Sequence, residues 1–336
     1  MSNKDTGSHD MTERGTGATD PVPGGEAEKP TDIPAAGWRQ VVRRGWRESK
    51  ADQVPLLAGG VAYAAFLALF PAMIAAISVY GLVADPAKIQ KQIQDVASAL
   101  PKDAQSVLVT QLSDIANGSR SSLGWSLVIS VLVALWSASS GVMGLMNAVN
   151  AAYDEEDHRR FVVKRGLALL LTLGAIVMFG VSIGLVAVLP PVLHNLGLGA
   201  LAASGVQVLR WVLLVALVMG ALAVVYRVAP DRDAPQMRWA SLGAVVATVL
   251  WVIASVGFSL YANNLGTYGK TYGALAGVVV LMLWLYWSAY IILLGAEVNA
   301  EAEQQTAKDT TTGAPRPLGE RHAVKADTVA GDAGER

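Results

Sequence analysis

The chain has 336 residues, 53% of them hydrophobic and only 16% charged, with a formal net charge of -1. So little charge excludes an ordinary water-soluble enzyme, whose surface must be charged, and the near-neutral balance gives no electrostatic footprint for nucleic acid. With no cysteine, neither a disulfide framework nor a thiolate metal site can form.

Residues 1–36 are rich in Gly, Pro, Thr, Asp and Glu, and residues 304–336 are similarly short of large apolar side chains. Such segments bury too little surface to offset chain entropy, so both are expected to be disordered tails. The N-terminal one lacks the apolar core of a cleavable signal peptide, which leaves insertion to the first spanning helix. From Gly37 to Ala51, Trp38, Val42 and Trp46 recur every four residues beside Arg39, Arg43, Arg47 and Lys50. This predicts either an interfacial amphipathic helix or a basic flank that only orients the first span.

Beyond it, Gln53–Ala84, Ser121–Tyr153, Gly166–Leu209, Trp211–Tyr226, Trp239–Gly269 and Thr271–Ala296 hold no Asp, Glu, Lys or Arg. They make up more than half of the chain. A helix needs about 20 apolar residues to cross a bilayer, so an all-α polytopic membrane protein is predicted. Breakers at Pro190, Pro191 and Gly197 divide the longest stretch. Six spans result, at residues 55–83, 123–150, 166–189, 203–226, 239–262 and 274–296, within a membrane domain over 37–303.

Counting Lys and Arg in the flanks and short loops puts twelve on the side of both termini against five on the other, or six with Arg210. The positive-inside bias then predicts cytoplasmic termini. Residues 85–120 fall outside the cytoplasm, where Ile89, Ile93, Val96 and Leu100, then Ala104, Leu108, Leu112 and Ile115, form two apolar stripes separated by Pro101. They predict an extracytoplasmic helical hairpin.

Polar groups inside spans are the candidates for function, because hydrocarbon offers them no partner. Pro71 interrupts the first span between Tyr63 and Tyr80, where a freed carbonyl suits a transport path and a tolerated kink is the plainer reading. In the second span Ser137, Ser140, Gly144, Asn147 and Ala151 fall on one face, for helix packing or a solute surface. Ser241, Thr248, Ser255 and Ser259 line the fifth. The sixth carries Tyr272, Trp284, Tyr286, Trp287 and Tyr290 and ends at Glu297, read as an interfacial carboxylate or, less simply, a proton-coupling group. Trp284 sits too deep for a belt anchor and should face the bundle. Arg210 should snorkel to the headgroups rather than bind an anion. The resulting candidate polar pathway is Tyr63, Pro71, Ser140, Asn147, Ser255, Tyr272, Tyr286 and Glu297.

Enzyme chemistry finds no foothold. The four histidines lie in tails or loops without partners at metal-ligand spacing, no phosphate-binding GxxxxGK[ST] loop is present, and the run Asp154 to Asp157 reads as a solvated loop. No catalytic residue, metal or cofactor is expected.

Three separated motifs then carry a resemblance. Leu57-Ala58-Gly59-Gly60-Val61-Ala62-Tyr63 running to Phe70-Pro71, the turn from Tyr226 to Pro230, and Tyr272-Gly273-Ala274-Leu275 through Trp284-Leu285-Tyr286 to Leu294-Gly295-Ala296-Glu297 together resemble the YihY/BrkB family over residues 38–303. The resemblance implies a six-helix inner-membrane protein with cytoplasmic termini, in a family whose members have been labelled ribonuclease BN and, in one case, a serum-resistance factor. It supplies no catalytic residues. RNA hydrolysis needs a metal-activated water or a placed acid/base pair, and carboxylates scattered in loops do not offer one. The expectation is a transporter or permeation protein for a lipid-like or other small amphipathic solute. The alternative is a non-transporting envelope-maintenance or scaffold protein. Membrane lipids are the expected partners, nucleic acid is not, and a homo-oligomer stays open.

Overall fold

Within hydrocarbon every backbone N–H and C=O must be satisfied inside its own segment, so these apolar stretches have little choice but to form helices. The computed structural model of the chain describes residues 22–83, 120–188, 200–264 and 274–330. Seven long helices run through them: α1 (Ala35–Ala51), α2 (Val54–Val83), α3 (Arg120–Ala152), α4 (Phe161–Ile183), α5 (Ala200–Val228), α6 (Met237–Asn264) and α7 (Ala274–Gln304). A single turn, α8 (Val324–Asp327), follows. Among the described residues there is no β-strand, only an isolated bridge between Pro235 and Thr311.

Helices α3 to α7 are each long and apolar enough to cross a membrane. A sixth span is reached if α1 and the first part of α2, which meet at 64°, are taken together. That bend falls at Asp52 and Gln53, where Gln53 has a left-handed φ of 53°. Helix α2 runs through Pro71 as one element, so the break in this region lies ahead of the proline. The predicted hairpin at 85–120 lies outside the described residues except for Arg120, which opens α3.

The spanning helices pack in chain order, each on the next, and α7 closes the set against α2 while also touching α3 and α1. The buried core gathers at one end, here called basal. It joins Val54 and Ala58 of α2 to Met146 and Val149 of α3, Tyr153 just past its end, Tyr226 of α5, Ala244 and Ala247 of α6, and Leu293 and Ala296 of α7. Toward the other end the described side chains of α5, α6 and α7 are exposed or half-buried, Arg210 excepted.

Helices α6 and α7 approach closely enough for their backbones to touch. A Cβ added at Gly243 would collide with the carbonyl oxygen of Gly295, and one at Gly295 would collide with the Tyr226 hydroxyl. Asn299 locks the crossing: its Oδ1 accepts the Gly243 N–H at 2.5 Å and its Nδ2 donates to the Ala240 carbonyl at 3.1 Å. Tyr226 adds a third link, donating to the Ile292 carbonyl at 2.7 Å. Small residues matter here because no hydrophobic force drives helices together in lipid, and van der Waals contact must do it.

Composition marks the tails as unstructured, yet residues 22–34 and 305–330 pack against the basal end. Buried Arg321 organises the C-terminal segment by donating to the carbonyls of Ala307, Lys308, Arg316 and Ala326, and the Asp327 carboxylate accepts from the backbone of Gly319 and Arg321. Thr306 Oγ1 donates to the Ala27 carbonyl at 2.7 Å, while Gln305 Nε2 donates to the Pro23 carbonyl at 2.8 Å. These segments order through polar contacts with the bundle, which a count of apolar residues does not register.

Candidate functional site

The last two turns of α7 overrun the predicted span and bring Glu297, Asn299, Glu301, Glu303 and Gln304 into the basal end, all buried. Most of these find partners. Glu303 Oε2 accepts from Arg232 Nη2 at 2.6 Å, with both side chains fully buried, and from Thr310 Oγ1 at 2.7 Å. Glu301 receives Arg44 Nε at 2.6 Å from α1 and Lys325 Nζ at 2.9 Å from α8. Lys325 also reaches Asp154 Oδ2 at 2.8 Å. Burial works against its charge, but Glu301 and Asp154 outweigh that and hold the ammonium above the ordinary lysine range.

Glu297 is different. It is 1% exposed, and neither carboxylate oxygen has a hydrogen-bond donor. The group it meets is another carboxyl, Asp52, at the corner between α1 and α2, whose Oδ2 is likewise buried without a donor. Burial, followed by the nearby charge of Asp154, pushes the Asp52 carboxyl up to about 6.

The acidic run after α3 is built into the fold rather than solvated as expected. Asp157 binds Lys164 Nζ at 2.8 Å and the Arg159 N–H at 3.1 Å; burial opposes its charge, but these partners hold it below the usual carboxylate range. Glu155 accepts the Val324 N–H at 2.8 Å, and Asp154 adopts a left-handed φ of 55°. Asp154 and Glu156 still reach solvent, with 43% and 90% of their side chains exposed. Arg159 caps the C-terminus of α5 by donating to the carbonyls of Val228, Ala229 and Pro230 while pairing with Asp231 at 2.9 Å. Among the described residues no group of three or more His, Asp or Glu is placed to hold a metal ion.

The sequence-derived pathway does not assemble into one polar interior. Tyr63 is 59% exposed, and Ser140 and Asn147 lie on the outside of the bundle. Ser140 still has a role in packing, since its Oγ accepts from Arg165 Nη1 at 3.1 Å. Ser255 and Thr248 donate to their own helix, to the carbonyls of Trp251 and Ala244, so the expected seam on α6 is satisfied locally. Tyr286 is half-buried and stacks on Tyr290 with ring centroids 6.2 Å apart. Pro71 is half-buried within α2, and Tyr272 lies outside the described residues.

Two functional-looking groups stand elsewhere than predicted. The buried asparagine of α3 is Asn150, which accepts the Asp231 N–H at 2.7 Å and donates to the Met146 carbonyl. Asn147, one turn earlier, stays exposed, while Gly141 faces α2, where a Cβ would lie 3.5 Å from the Ala64 backbone. Arg165, just ahead of the predicted third span, is 5% exposed, with its guanidinium 3.7 Å over the Trp136 ring. Arg210 is buried as well, with its Nε unpartnered and its guanidinium 5.4 Å from the Trp211 ring.

Trp284 does face the bundle. It packs on Trp251 at 5.5 Å and Phe258 at 5.1 Å, and Trp251 Nε1 donates to Ser288 Oγ at 3.1 Å. Around it lies a cleft of about 490 Å³ between α6 and α7, lined by Ala254, Gly257, Phe258, Tyr261, Leu283, Trp284 and Trp287. No charged residue lines it.

A family model described as virulence factor BrkB matches residues 46–318, from α1 through all the spanning helices into the packed C-terminal segment. The chain belongs to the BrkB family. YfkH of Bacillus subtilis, which carries a ribonuclease-like name, is 30% identical over 250 residues, 71% of this chain and 86% of its own length. A UPF0761 membrane protein of Alteromonas mediterranea is 28% identical over 282 residues, covering 81% of this chain and 90% of that protein. Another UPF0761 membrane protein, from Photobacterium profundum, is 30% identical over 277 residues, 80% and 82% of the two chains. No solved structure matches. Asp52, Arg232, Glu297 and Glu303 all fall within the family match, whereas Arg44 and Lys325 fall outside it. The protein is therefore an integral membrane protein of the BrkB family.

Proposed function

We propose that this protein moves a lipid-like or other amphipathic solute across the cytoplasmic membrane, with both termini on the cytoplasmic side. The observation that supports this reading is the cleft between α6 and α7. Its volume is in the range of small-molecule sites, roughly 300–1,000 Å³, and its lining of Trp, Phe, Tyr and Leu suits an acyl chain. Tight packing at the basal end and looser packing beyond it fit a transporter closed at one end. The orientation rests on the excess of Lys and Arg at the basal end. RNA cleavage is not proposed, because the acidic run that might serve it is occupied by Lys325, the Val324 N–H and Lys164.

Vesicles containing the purified protein should translocate a fluorescent phospholipid faster than empty ones. Gly257→Leu should suppress this, since Gly257 lines the cleft and a Cβ there meets no atom within 4 Å, leaving the larger side chain to occupy the cleft. Folded protein that moves no member of a broad lipid panel, or a Gly257→Leu variant as active as wild type, would refute the proposal.

A further inference from the structure

Around the corner between α1 and α2, acid outnumbers base among the described residues. Glu301, Asp154, Asp52 and Glu297 converge there, yet only Arg44 and Lys325 come close enough to compensate them. Both bases are already spent, Arg44 on Glu301 and Lys325 on Glu301 and Asp154. Arg232 is committed to Glu303. What remains is Asp52 facing Glu297, two carboxyls with no donor for Glu297 or for Asp52 Oδ2.

Two ionised carboxylates in contact repel, and a buried charge without a partner is costly. A single proton held between them turns the repulsion into a hydrogen bond and satisfies an oxygen of each, as in carboxylate dyads elsewhere. We infer that Asp52 and Glu297 form a proton-binding site, sharing one proton near neutral pH and so fastening the α1–α2 corner to α7. The corner is the place where such a fastening matters. The chain bends there by 64° through a residue with a left-handed φ, and α1 and α7 meet beside it through Arg44 and Glu301.

The groups facing the pair from each packed element are Glu48 on α1, Asp154 and Tyr153 at the end of α3, Glu301 on α7, and Lys325 on α8. Loss of the proton would leave two uncompensated negative charges, for which Lys325 is the nearest cation. Drawing Lys325 toward them would loosen its pair with Asp154 and with it the docked C-terminal segment. The site thus supplies a chemical link between proton release, the helix corner and the tail. It is a claim about proton binding alone and does not depend on transport.

The test is infrared absorption of the detergent-solubilised full chain, titrated through neutrality. Wild type should show a protonated-carboxyl band near neutral pH that disappears on alkalinisation. Glu297→Gln and Asp52→Asn should each abolish it, because an amide supplies the donor without a titrating proton. Hydrogen exchange of residues 50–56, corrected for intrinsic rates, should rise with pH in wild type and stay flat in Glu297→Gln. Absence of the band in wild type overturns the inference without any variant, which keeps it decidable should a substitution prevent folding. A band that survives both substitutions belongs to another carboxyl and overturns it equally. Because nothing here measures flux, failure of this site and failure of the lipid-transport reading are told apart.

Discussion

Gly243→Ala adds one methyl group to a helix, which in isolation should be favourable by about 1 kcal/mol. In this protein it should destabilise. The new Cβ would collide with the Gly295 carbonyl oxygen and lie 2.7 Å from Asn299 Cγ, where ordinary contact begins at 3.4 Å. Neither α6 nor α7 can yield locally, because the obstacle is backbone, so the helices must separate. Separation loosens both Asn299 hydrogen bonds, to Gly243 N–H and the Ala240 carbonyl, and strains the Tyr226–Ile292 link. Overpacking costs about 1–3 kcal/mol, and each buried hydrogen bond contributes roughly 1 kcal/mol. Set against the helix-propensity gain, the net loss is about 2–4 kcal/mol. Gly220→Ala in α5 is the control: its Cβ would meet nothing within 4 Å, so it should be neutral or stabilising by about 0.5–1 kcal/mol. Thermal unfolding in detergent, followed by size-exclusion fluorescence, ranks the three proteins. A Gly243→Ala melting temperature equal to or above that of Gly220→Ala would refute the crossing as described.

Arg232→Met should cost about 3–5 kcal/mol by stranding Glu303 in the interior, and adding Glu303→Leu should restore most of the loss in the same melting assay. The raised Asp52 carboxyl keeps its proton in the folded state between about 4 and about 6, where the unfolded chain has lost it. Melting temperature should therefore fall as pH rises through that window, and Asp52→Asn should remove this part of the slope. Deleting residues 305–336 removes Lys325 and exposes Glu301 and Glu303, so the truncated protein should melt lower and lose the slow hydrogen exchange of the last turns of α7. In a chain free of cysteine, an impermeant thiol reagent should label Ser98→Cys and Thr267→Cys in intact cells but not Glu156→Cys, whose exposed side chain becomes reactive only after lysis. Labelling of Glu156→Cys in intact cells would reverse the proposed orientation.

Spans are legible in sequence because the bilayer imposes one solvent and one length on each, and charge-free runs report that directly. The end of α7 is not, because hydropathy falls at Glu297 while the helix continues to Gln304, its acids buried by Arg44, Arg232 and Lys325 from distant parts of the chain. Nor does periodicity choose between the two faces of α3. Ser137, Ser140 and Asn147 line one face and Gly141 and Ala148 another, both small enough to pack, and Asn150, one turn beyond Asn147, is the buried amide because Asp231 after α5 docks on it. Glu297 was legible as a candidate by type, but its partner was not, since Asp52 lies 245 positions earlier and reads locally as part of a polar junction.

The tails show the same principle at larger scale. A segment with few apolar residues cannot fold alone, yet Arg321 satisfies four carbonyls at once and Lys325 neutralises two acids of the bundle. The driving force lies in the bundle, where Glu301 takes Lys325 beside Arg44 and Glu303 takes the Thr310 hydroxyl beside Arg232. Order in the tail and burial of acid in α7 are thus two sides of one electrostatic requirement. A membrane domain expressed without residues 305–336 leaves Asp154 and one oxygen of Glu301 without their cation, and must admit water to its basal end.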